Sequence, residues 1–161
     1  MAKAPTLDLD HYVTYSLSVI DNMLALGAYR IYRKRFGVNV TEWRVLGSLA
    51  INPVGAETAN DICLLTRTDK APISRAIARL MEAGMVKREA DPKDKRRIML
   101  ALTPKGRQTH DRILPIALER EERLLEALTP EEIDEFRRIL KKLRRQAATL
   151  DGHRPPPHLK D

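Results

Sequence analysis

Basic side chains are concentrated in one part of this sequence. Residues 66–107 contain twelve Lys and Arg against five Asp and Glu, an excess that equals the formal net charge of +7 of all 161 residues. Clustered guanidinium and ammonium groups suit a polyanion such as DNA, RNA or an acidic membrane surface. Aromatic residues make up only 4% of the chain, which argues against a surface that stacks single-stranded bases.

Within this basic segment, residues 69–83 predict an amphipathic helix that begins near Asp69, with Pro72 in its first turn. At 100° per residue, the apolar face carries Ile73, Ile77, Leu80 and Met81, and the opposite face carries Thr68, Ala71, Arg75, Arg79 and Glu82. A helix fits the major groove of DNA, where an arginine can donate two hydrogen bonds to guanine. The alternative is a charged face that is merely solvated.

The neighbouring segments favour the first interpretation. A short helix that starts at Thr58 with Asp61, followed by a tight turn at 65–67, predicts a helix-turn-helix with the basic helix second. The apolar runs 85–90 and 98–102 flank a Pro/Asp turn and predict a β-hairpin. The tip of this hairpin carries Lys93, Asp94, Lys95, Arg96 and Arg97. Cations there suit the negative potential of a narrow minor groove, and we expect Asp94 to brace an arginine.

Longer helices flank these elements. Residues 129–132, Thr-Pro-Glu-Glu, predict a capped start for a C-terminal amphipathic helix, and Thr103 with Pro104 opens another that Pro115 is expected to kink or divide. A helix is also expected to start at Thr41. The first helix, over about 7–35, has two apolar faces, which favours burial in a dimer over burial in a monomeric core.

Several runs along the chain share a specific pattern: TEWRVL at 41–46, ISR at 73–75, LMEAGMVKR at 80–88, DPKDKRR at 91–97 and LTPKGR at 102–107. Together they resemble the MarR family of bacterial and archaeal transcriptional regulators, over roughly residues 7–150. The resemblance implies that Ser74 and Arg75 lie on a recognition helix and that Arg96 enters the minor groove. Ala71 and Pro72 depart from the family, which usually has small hydroxyl residues there, so base contacts at these positions are in doubt.

We therefore expect a mainly α fold with a small β-hairpin wing, that is, a winged helix-turn-helix with N- and C-terminal dimerisation helices. The expected units are a dimerisation helix at 1–36, a DNA-binding lobe at 37–103, dimerisation helices at 104–150 and a disordered tail at 151–161. The predicted DNA contacts are Thr68, Lys70, Ala71, Ser74, Arg75, Arg79, Lys93, Asp94, Lys95, Arg96 and Arg97.

The expected function is a homodimeric, ligand-responsive regulator, with repression favoured, that binds a pseudo-palindromic operator in double-stranded DNA. The resemblance implies a small aromatic or phenolic carboxylate, or its thioester, as the effector. Its candidate contacts are His11, Tyr12, Tyr15 and Arg44. Ordinary interface packing is the alternative role for these side chains, and Trp43 is expected to belong to the core. The alternative functions are an effector-independent architectural DNA-binding protein and a redox-responsive regulator acting through Cys63.

Other classes of function find no support in the sequence. The single cysteine excludes an intramolecular disulfide and fits a reducing compartment, and its apolar neighbour Ile62 favours a buried structural thiol. There is no Gly-rich phosphate loop and no His-Glu-x-x-His pattern, so we expect no enzyme. The four histidines lack ligand spacing, and we expect neither a metal nor a cofactor. No secretory signal or membrane-spanning run is present, which favours a cytoplasmic, nucleoid-associated prokaryotic protein.

Overall fold

The computed structural model describes residues 7–9, 11–51, 58–90 and 98–150. In chain order the elements are α1 (Val13–Phe36), α2 (Val40–Ile51), α3 (Ala59–Thr66), α4 (Lys70–Glu82), β1 (Val86–Ala90), β2 (Ile98–Leu102), α5 (Pro104–Leu125) and α6 (Pro130–Leu150). The two strands pair antiparallel, with Val86 opposite Leu102 and Ala90 opposite Ile98. The expected fold class, mainly α with one small hairpin, is confirmed. The predicted tail at 151–161 lies outside the described residues. None of the described helices is long and apolar enough to cross a membrane.

One hydrophobic core holds the central elements together. Leu46, Ile62, Ile73 and Ile113, from α2, α3, α4 and α5, are all completely buried. Val86 and Leu100 add the hairpin to this cluster, and Ala28 and Tyr32 add the C-terminal half of α1. Because every neighbour of α4 contributes to the same core, the position of α4 is fixed by packing on several sides.

The first helix starts later than its apolar pattern predicts. It begins at Val13, with Tyr12 as N-cap residue, whereas the sequence places the start near Leu7. Its C-terminus agrees with the prediction, because the helix ends at Phe36 and Gly37 adopts a left-handed conformation with φ 69°. In that conformation the Gly37 N–H bonds to the carbonyl of Arg33, which closes the last turn.

Three predicted helix caps are present. The Thr58 hydroxyl accepts from the Asp61 N–H at 3.2 Å, and the Asp61 carboxylate accepts from the Thr58 N–H at 2.9 Å. Thr103 caps α5 through the Gly106 N–H at 3.1 Å. Thr129 and Glu132 make the reciprocal pair at the start of α6. Each pair satisfies backbone donors that the first helical turn leaves without a partner.

The expected cap of α2 was wrong, and one of the two alternatives given for Pro115 is excluded. Asn39 caps α2, not Thr41: its Oδ1 accepts from the Glu42 N–H at 2.9 Å, and Glu42 accepts from the Asn39 N–H at 2.7 Å. Asn39 stands three residues before a glutamate, the spacing that a capping box requires, whereas Thr41 already lies inside the helix. Pro115 does not divide α5, which continues through it. The buried Ile113 and the half-buried Ile116 hold the helix on both sides of the proline.

Candidate DNA-binding surface and an adjoining cavity

Helix α4 buries the apolar face that its sequence predicts. Ile73, Ile77 and Leu80 are buried, and Met81 packs against the same core. On the other side, Lys70, Ala71, Ser74, Arg75 and Arg79 are exposed, while Thr68 is half-buried and donates to the Thr66 carbonyl. The helix therefore presents a short run of small and basic side chains to solvent, with the small ones nearest its N-terminus.

The turn between α3 and α4 is sharp. Arg67 adopts φ 51°, ψ 37° as the residue that ends α3, and it is the one non-glycine with positive φ among the described residues. This left-handed conformation is uncommon for a residue with a Cβ atom. It turns the chain within three residues, so that α4 follows α3 as the second helix of a helix-turn-helix.

The C-terminal end of α4 is fastened to the beginning of α5. The Lys105 ammonium donates to the Ala83 carbonyl at 2.7 Å, and the Thr103 hydroxyl donates to the Gly84 carbonyl at 2.7 Å. A positive charge at this end also interacts favourably with the helix dipole. Since Thr103 directly follows β2, these bonds fix the base of the hairpin against α4.

Gly106 makes this close approach possible. A Cβ atom at Gly106 would overlap the carbonyl oxygen of Met85. The residue is buried in the first turn of α5, beneath the segment that links α4 to β1. Sequence analysis quoted the Leu-Thr-Pro-Lys-Gly run only as a family pattern, and the structure gives its physical reason.

The predicted minor-groove contacts belong to the hairpin tip. Lys93, Asp94, Lys95, Arg96 and Arg97 lie outside the described residues, so their role stays a prediction. The strands that lead to the tip are described as far as the facing pair Ala90 and Ile98. Strand β1 is exposed beyond Val86, where Lys87 forms an ion pair with Glu89 at 2.5 Å.

A cavity of about 270 Å³ lies where α1, α2 and α5 meet. Its apolar lining includes Leu24, Ala25, Ala28, Ala117 and Leu124, together with the aromatic rings of Tyr32 and Trp43. Asp21, Arg44, Arg120 and Glu121 supply its charged groups. An apolar cavity with a few charged side chains is typical of a site for a small organic molecule.

The two arginines of this cavity differ in their partners. Arg44 Nη2 lies 3.3 Å from Asp21 Oδ1, an ion pair between α2 and α1. Arg120 Nη2 instead donates to the Leu24 carbonyl at 3.1 Å, and no described carboxylate lies within ion-pair distance of it. A Cβ atom at Gly27 would lie 2.8 Å from Arg120 Nη2, so the glycine leaves room for the guanidinium. Arg120 is thus a half-buried cation beside an apolar cavity.

Two aromatic residues of the cavity wall also belong to the core. Trp43 packs against the core as predicted, and its ring stacks on the buried His110 with centroids 5.2 Å apart. Tyr32 lies tilted against Trp43 at 5.9 Å. Burial raises the pKa of Tyr32, and the positive charge of Arg120 partly opposes that rise. Trp43, the sole tryptophan of the chain, therefore forms part of the cavity wall.

Of the four residues predicted to contact an effector, only Arg44 lines this cavity. His11, Tyr12 and Tyr15 are exposed near the start of α1, and His11 Nδ1 lies 2.9 Å from Asp8 Oδ2. The cavity begins at Asp21, about 9 Å further along the helix from Tyr15 at 1.5 Å per residue. Apolar periodicity placed these side chains on faces of α1 but could not show which turns of the helix meet α2 and α5.

Cys63 fits the structural role favoured by its sequence context. It is half-buried on α3 and packs against the core. Burial raises the pKa of its thiol, and the nearby Lys70 charge only partly opposes this. Because the thiolate is the reactive form of cysteine, this environment reduces its reactivity.

Comparison with known proteins agrees with the winged helix-turn-helix geometry. A model of the MarR family matches residues 36–97. The uncharacterized HTH-type transcriptional regulator YkoM of Bacillus subtilis is 31% identical, over 73% of this chain and 84% of that protein. A MarR/EmrR family regulator from Acinetobacter sp. ADP1 superposes with a TM-score of 0.82 at 29% identity, over 89% of this chain and 99% of that one. CouR from Rhodococcus jostii, bound to p-coumaroyl-CoA, superposes with a TM-score of 0.73 at 23% identity, over 86% and 95% of the two chains.

Proposed function

Because this chain belongs to the MarR family of DNA-binding transcriptional regulators, we propose that it is a homodimeric repressor released from its operator by a small anionic aromatic effector. The exposed basic face of α4, held rigidly by the core beneath it, is the observation that carries the DNA-binding part. In this proposal the lobe at 37–103 binds DNA, and the helices at 1–36 and 104–150 form the dimer. A protein of this kind acts on the chromosome, which implies a cytoplasmic, nucleoid-associated location.

The dimer is supported by apolar surface on the outer helices. Leu17 and Ile20 of α1 and Phe136, Ile139 and Leu143 of α6 are each between 39% and 47% exposed. Helix α6 has only Ala148 buried among its described residues. Apolar faces of this extent are uncommon on a soluble monomer, and a second copy of the same helices would cover them.

Sedimentation of two matched variants tests the dimer. We expect Leu143→Glu to convert the protein to a monomer, because it places a charge in the proposed interface. Ile51→Glu serves as the control, since Ile51 is exposed at the end of α2 and lies outside these helix faces. A monomeric wild-type chain, or an unchanged dimer in the Leu143→Glu variant, would contradict the proposal.

The DNA complex would place the N-terminal part of each α4 in a major groove and each hairpin tip in a flanking minor groove. Two such helices read half-sites roughly 34–36 Å apart, about one helical turn. Arg75 lies on the exposed face of α4, where it can reach guanine. Lys105 and Thr103 hold the base of the wing against the same helix.

Selection of duplexes from a random pool, followed by affinity measurements, tests this assignment. We expect Arg75→Ala and Arg96→Ala each to weaken binding to the selected duplex by about 5- to 150-fold, the equivalent of roughly 1–3 kcal/mol. Arg137→Ala on α6 is the control, because it removes an exposed cation outside the DNA-binding lobe. Unchanged affinity in both test variants would refute the assignment. Equal wild-type affinity for random and selected duplexes would instead favour the architectural alternative.

The effector site is supported by the cavity beside Arg120. Its volume of about 270 Å³ suits a single-ring acid, whose carboxylate Arg120 can bind through two hydrogen bonds while Trp43 and Tyr32 contact the ring. An acyl thioester could place only its acyl group there, with the larger carrier outside. The CouR complex with p-coumaroyl-CoA shows that a protein with the same fold binds such a thioester.

Fluorescence of Trp43 tests the site directly, because the chain has one tryptophan. We expect salicylate or p-coumaroyl-CoA to change the emission of the wild-type protein and to weaken its binding to the selected duplex. In Arg120→Gln, which keeps much of the side-chain length but removes the charge, the same titration should require at least tenfold more ligand. Equal affinities in the two proteins would exclude Arg120 as the carboxylate partner.

A further inference from the structure

Glu42 is a buried carboxylate in the first turn of α2. It is 3% exposed. Its Oε2 accepts from the Asn39 N–H at 2.7 Å, and its Oε1 accepts from the Asn39 side-chain amide at 2.8 Å. Both donors are neutral, so they stabilise the carboxylate by hydrogen bonding but supply no opposite charge. A buried charge is costly unless an opposite charge lies nearby.

Arg79 of α4 supplies that opposite charge. Its Nη1 lies 3.8 Å from Glu42 Oε1, and among the described residues no other cation is within ion-pair distance of this carboxylate. The two side chains meet at a polar cavity of about 330 Å³, which Arg33 and Met85 also line. The ion pair thus connects α2 to α4 at a place where apolar packing is incomplete.

The position of Arg79 along α4 does not suit base contact. Arg79 lies in the last turn of the helix, nine residues after Lys70, which corresponds to about 13 Å along the axis. Recognition helices contact bases chiefly through their N-terminal residues. The side chain also approaches α2 through Glu42, although sequence analysis assigned it to DNA together with Arg75.

The same turn of α2 also borders the cavity proposed for the effector. Val40, Trp43 and Arg44 line that cavity, while Glu42 between them faces Arg79. One helical turn therefore carries a wall of the effector cavity on one side and the contact to the recognition helix on the other.

We propose that Glu42 and Arg79 form a joint that positions the recognition helix, so that Arg79 acts through Glu42 and does not contact DNA bases. When the effector cavity is filled, the resulting shift of α2 is passed to α4 through this joint. This part of the scheme rests on the proposed function. Glu42 and Arg79 are positioning residues in this scheme. The DNA-contacting role then remains with Arg75 and the residues nearer the N-terminus of α4.

The first experiment compares Glu42→Gln, Arg79→Ala and the double variant, with Arg79→Lys as the conservative replacement. At one protein concentration, we expect Arg79→Ala to lower the Tm by about 2–4 °C, the shift that corresponds to roughly 1 kcal/mol in a chain of this size. The double variant should melt no lower than Glu42→Gln alone, and Arg79→Lys should recover most of the loss. Additive Tm losses would overturn the joint.

Binding to the selected duplex separates positioning from DNA contact. We expect Arg79→Ala to weaken binding three- to tenfold, to select the same preferred sequence as the wild type, and to keep the salt dependence of binding. Arg79→Lys should restore the affinity. A phosphate contact would instead reduce the slope of log K against log salt by about 0.9, and a base contact would relax the preference at one operator position. Either result would overturn the proposal.

Transmission can be tested without a known effector by filling the cavity from within. Ala25→Leu adds three carbon atoms to the cavity wall, and Ala117→Leu does so from α5 should the first variant fold poorly. We expect the filled variant to bind the selected duplex five- to tenfold more weakly in the wild-type background, but less than twofold more weakly in the Glu42→Gln/Arg79→Ala background.

The outcomes separate the joint from the proposed function. An equal loss of affinity in both backgrounds, or none in the wild-type background, would overturn transmission through the joint. If the wild-type chain showed no preference for any duplex, the proposed function would fail instead. The Tm comparison of the four variants would still test the Glu42–Arg79 pair on its own.

Discussion

Thr103 makes two hydrogen bonds with one hydroxyl group, and a single substitution removes both. Its Oγ1 accepts from the Gly106 N–H at 3.1 Å, as the N-cap of α5. The same hydroxyl donates to the Gly84 carbonyl at 2.7 Å, just beyond the end of α4. Thr103→Val keeps the branched shape of the side chain and suits the extended backbone at this position, so the change is confined to the hydroxyl.

The expected loss of stability follows from these two bonds. Removing an N-cap hydroxyl costs about 1 kcal/mol, and removing one further hydrogen bond costs about 0.5–1 kcal/mol at this exposed carbonyl, where water can replace part of it. We therefore expect Thr103→Val to lower the free energy of unfolding by about 1.5–2 kcal/mol. For a chain of this length, that corresponds to a decrease in Tm of roughly 3–8 °C.

Thr129→Val is the matched control, because Thr129 is the N-cap of α6 and has no bond to the recognition helix. Urea unfolding at one protein concentration should show a loss of about 1 kcal/mol for this variant, with the same m-value as Thr103→Val. Thr103→Val should also weaken binding to the selected duplex, whereas Thr129→Val should not. Equal losses of stability and equal DNA affinities in the two variants would refute the role of Thr103 in fastening α4.

Three further substitutions or measurements test individual packing features. Gly106→Ala should lower the free energy of unfolding by about 3 kcal/mol or abolish soluble expression, since its Cβ would overlap the Met85 carbonyl. A urea midpoint near that of the wild type would show that position 106 does not lie so close to the Met85 carbonyl. Gly47→Ala should raise the free energy of unfolding by about 0.5–1 kcal/mol, because the glycine lies inside α2 with open space around it; a destabilised variant would contradict this. The Cys63 thiol should react with a disulfide reagent at pH 8 more slowly in the folded chain than in urea, because burial raises its pKa. The rate in the folded chain should increase as the pH rises and more thiolate forms. Equal rates in the folded and unfolded chains would contradict the burial.

The recognition helix and the hairpin could be predicted because their patterns are local. Ile73, Ile77 and Leu80 recur at the helical period around Pro72, which fixed both the buried face and the first turn of α4. The apolar run 98–102 coincides with β2, since a short run bounded by Arg97 on one side and by Thr103 and Pro104 on the other leaves little freedom in its limits. Apolar patterns of this kind predict the buried face without knowledge of the element that packs against it.

The ends of α1 and α2 were harder to predict for a physical reason. Leu7 and Leu9 continue the apolar pattern of α1, yet both are exposed and lie before the helix begins. An apolar pattern shows which face can be buried but not whether a partner is present. At α2, both Asn39 and Thr41 can act as caps, and the glutamate at the correct spacing from Asn39 decided between them.

The residues that sequence analysis missed are those whose partners lie far away along the chain. Arg120 bonds to Leu24, which is 96 residues earlier, and Lys105 bonds to Ala83, which is 22 residues earlier. Gly106 is required by the Met85 carbonyl, in the segment that links α4 to β1. Periodicity and capping rules describe neighbours within a helix or hairpin, so they could not indicate these contacts, nor the approach of Arg79 to Glu42 on another helix.

Helix α5 contacts the elements around α4 in one half and lines the cavity in the other. Before Pro115, Thr103 and Lys105 are fastened to the end of α4, and Ile113 is completely buried in the core. After Pro115, Ala117 and Arg120 line the cavity against α1. Proline cannot donate the backbone hydrogen bond of its turn, so α5 is weakest where these two halves meet. The core contacts of Ile113 and Ile116 on either side of Pro115 offset this loss, so α5 connects the elements around α4 to the cavity as one continuous helix.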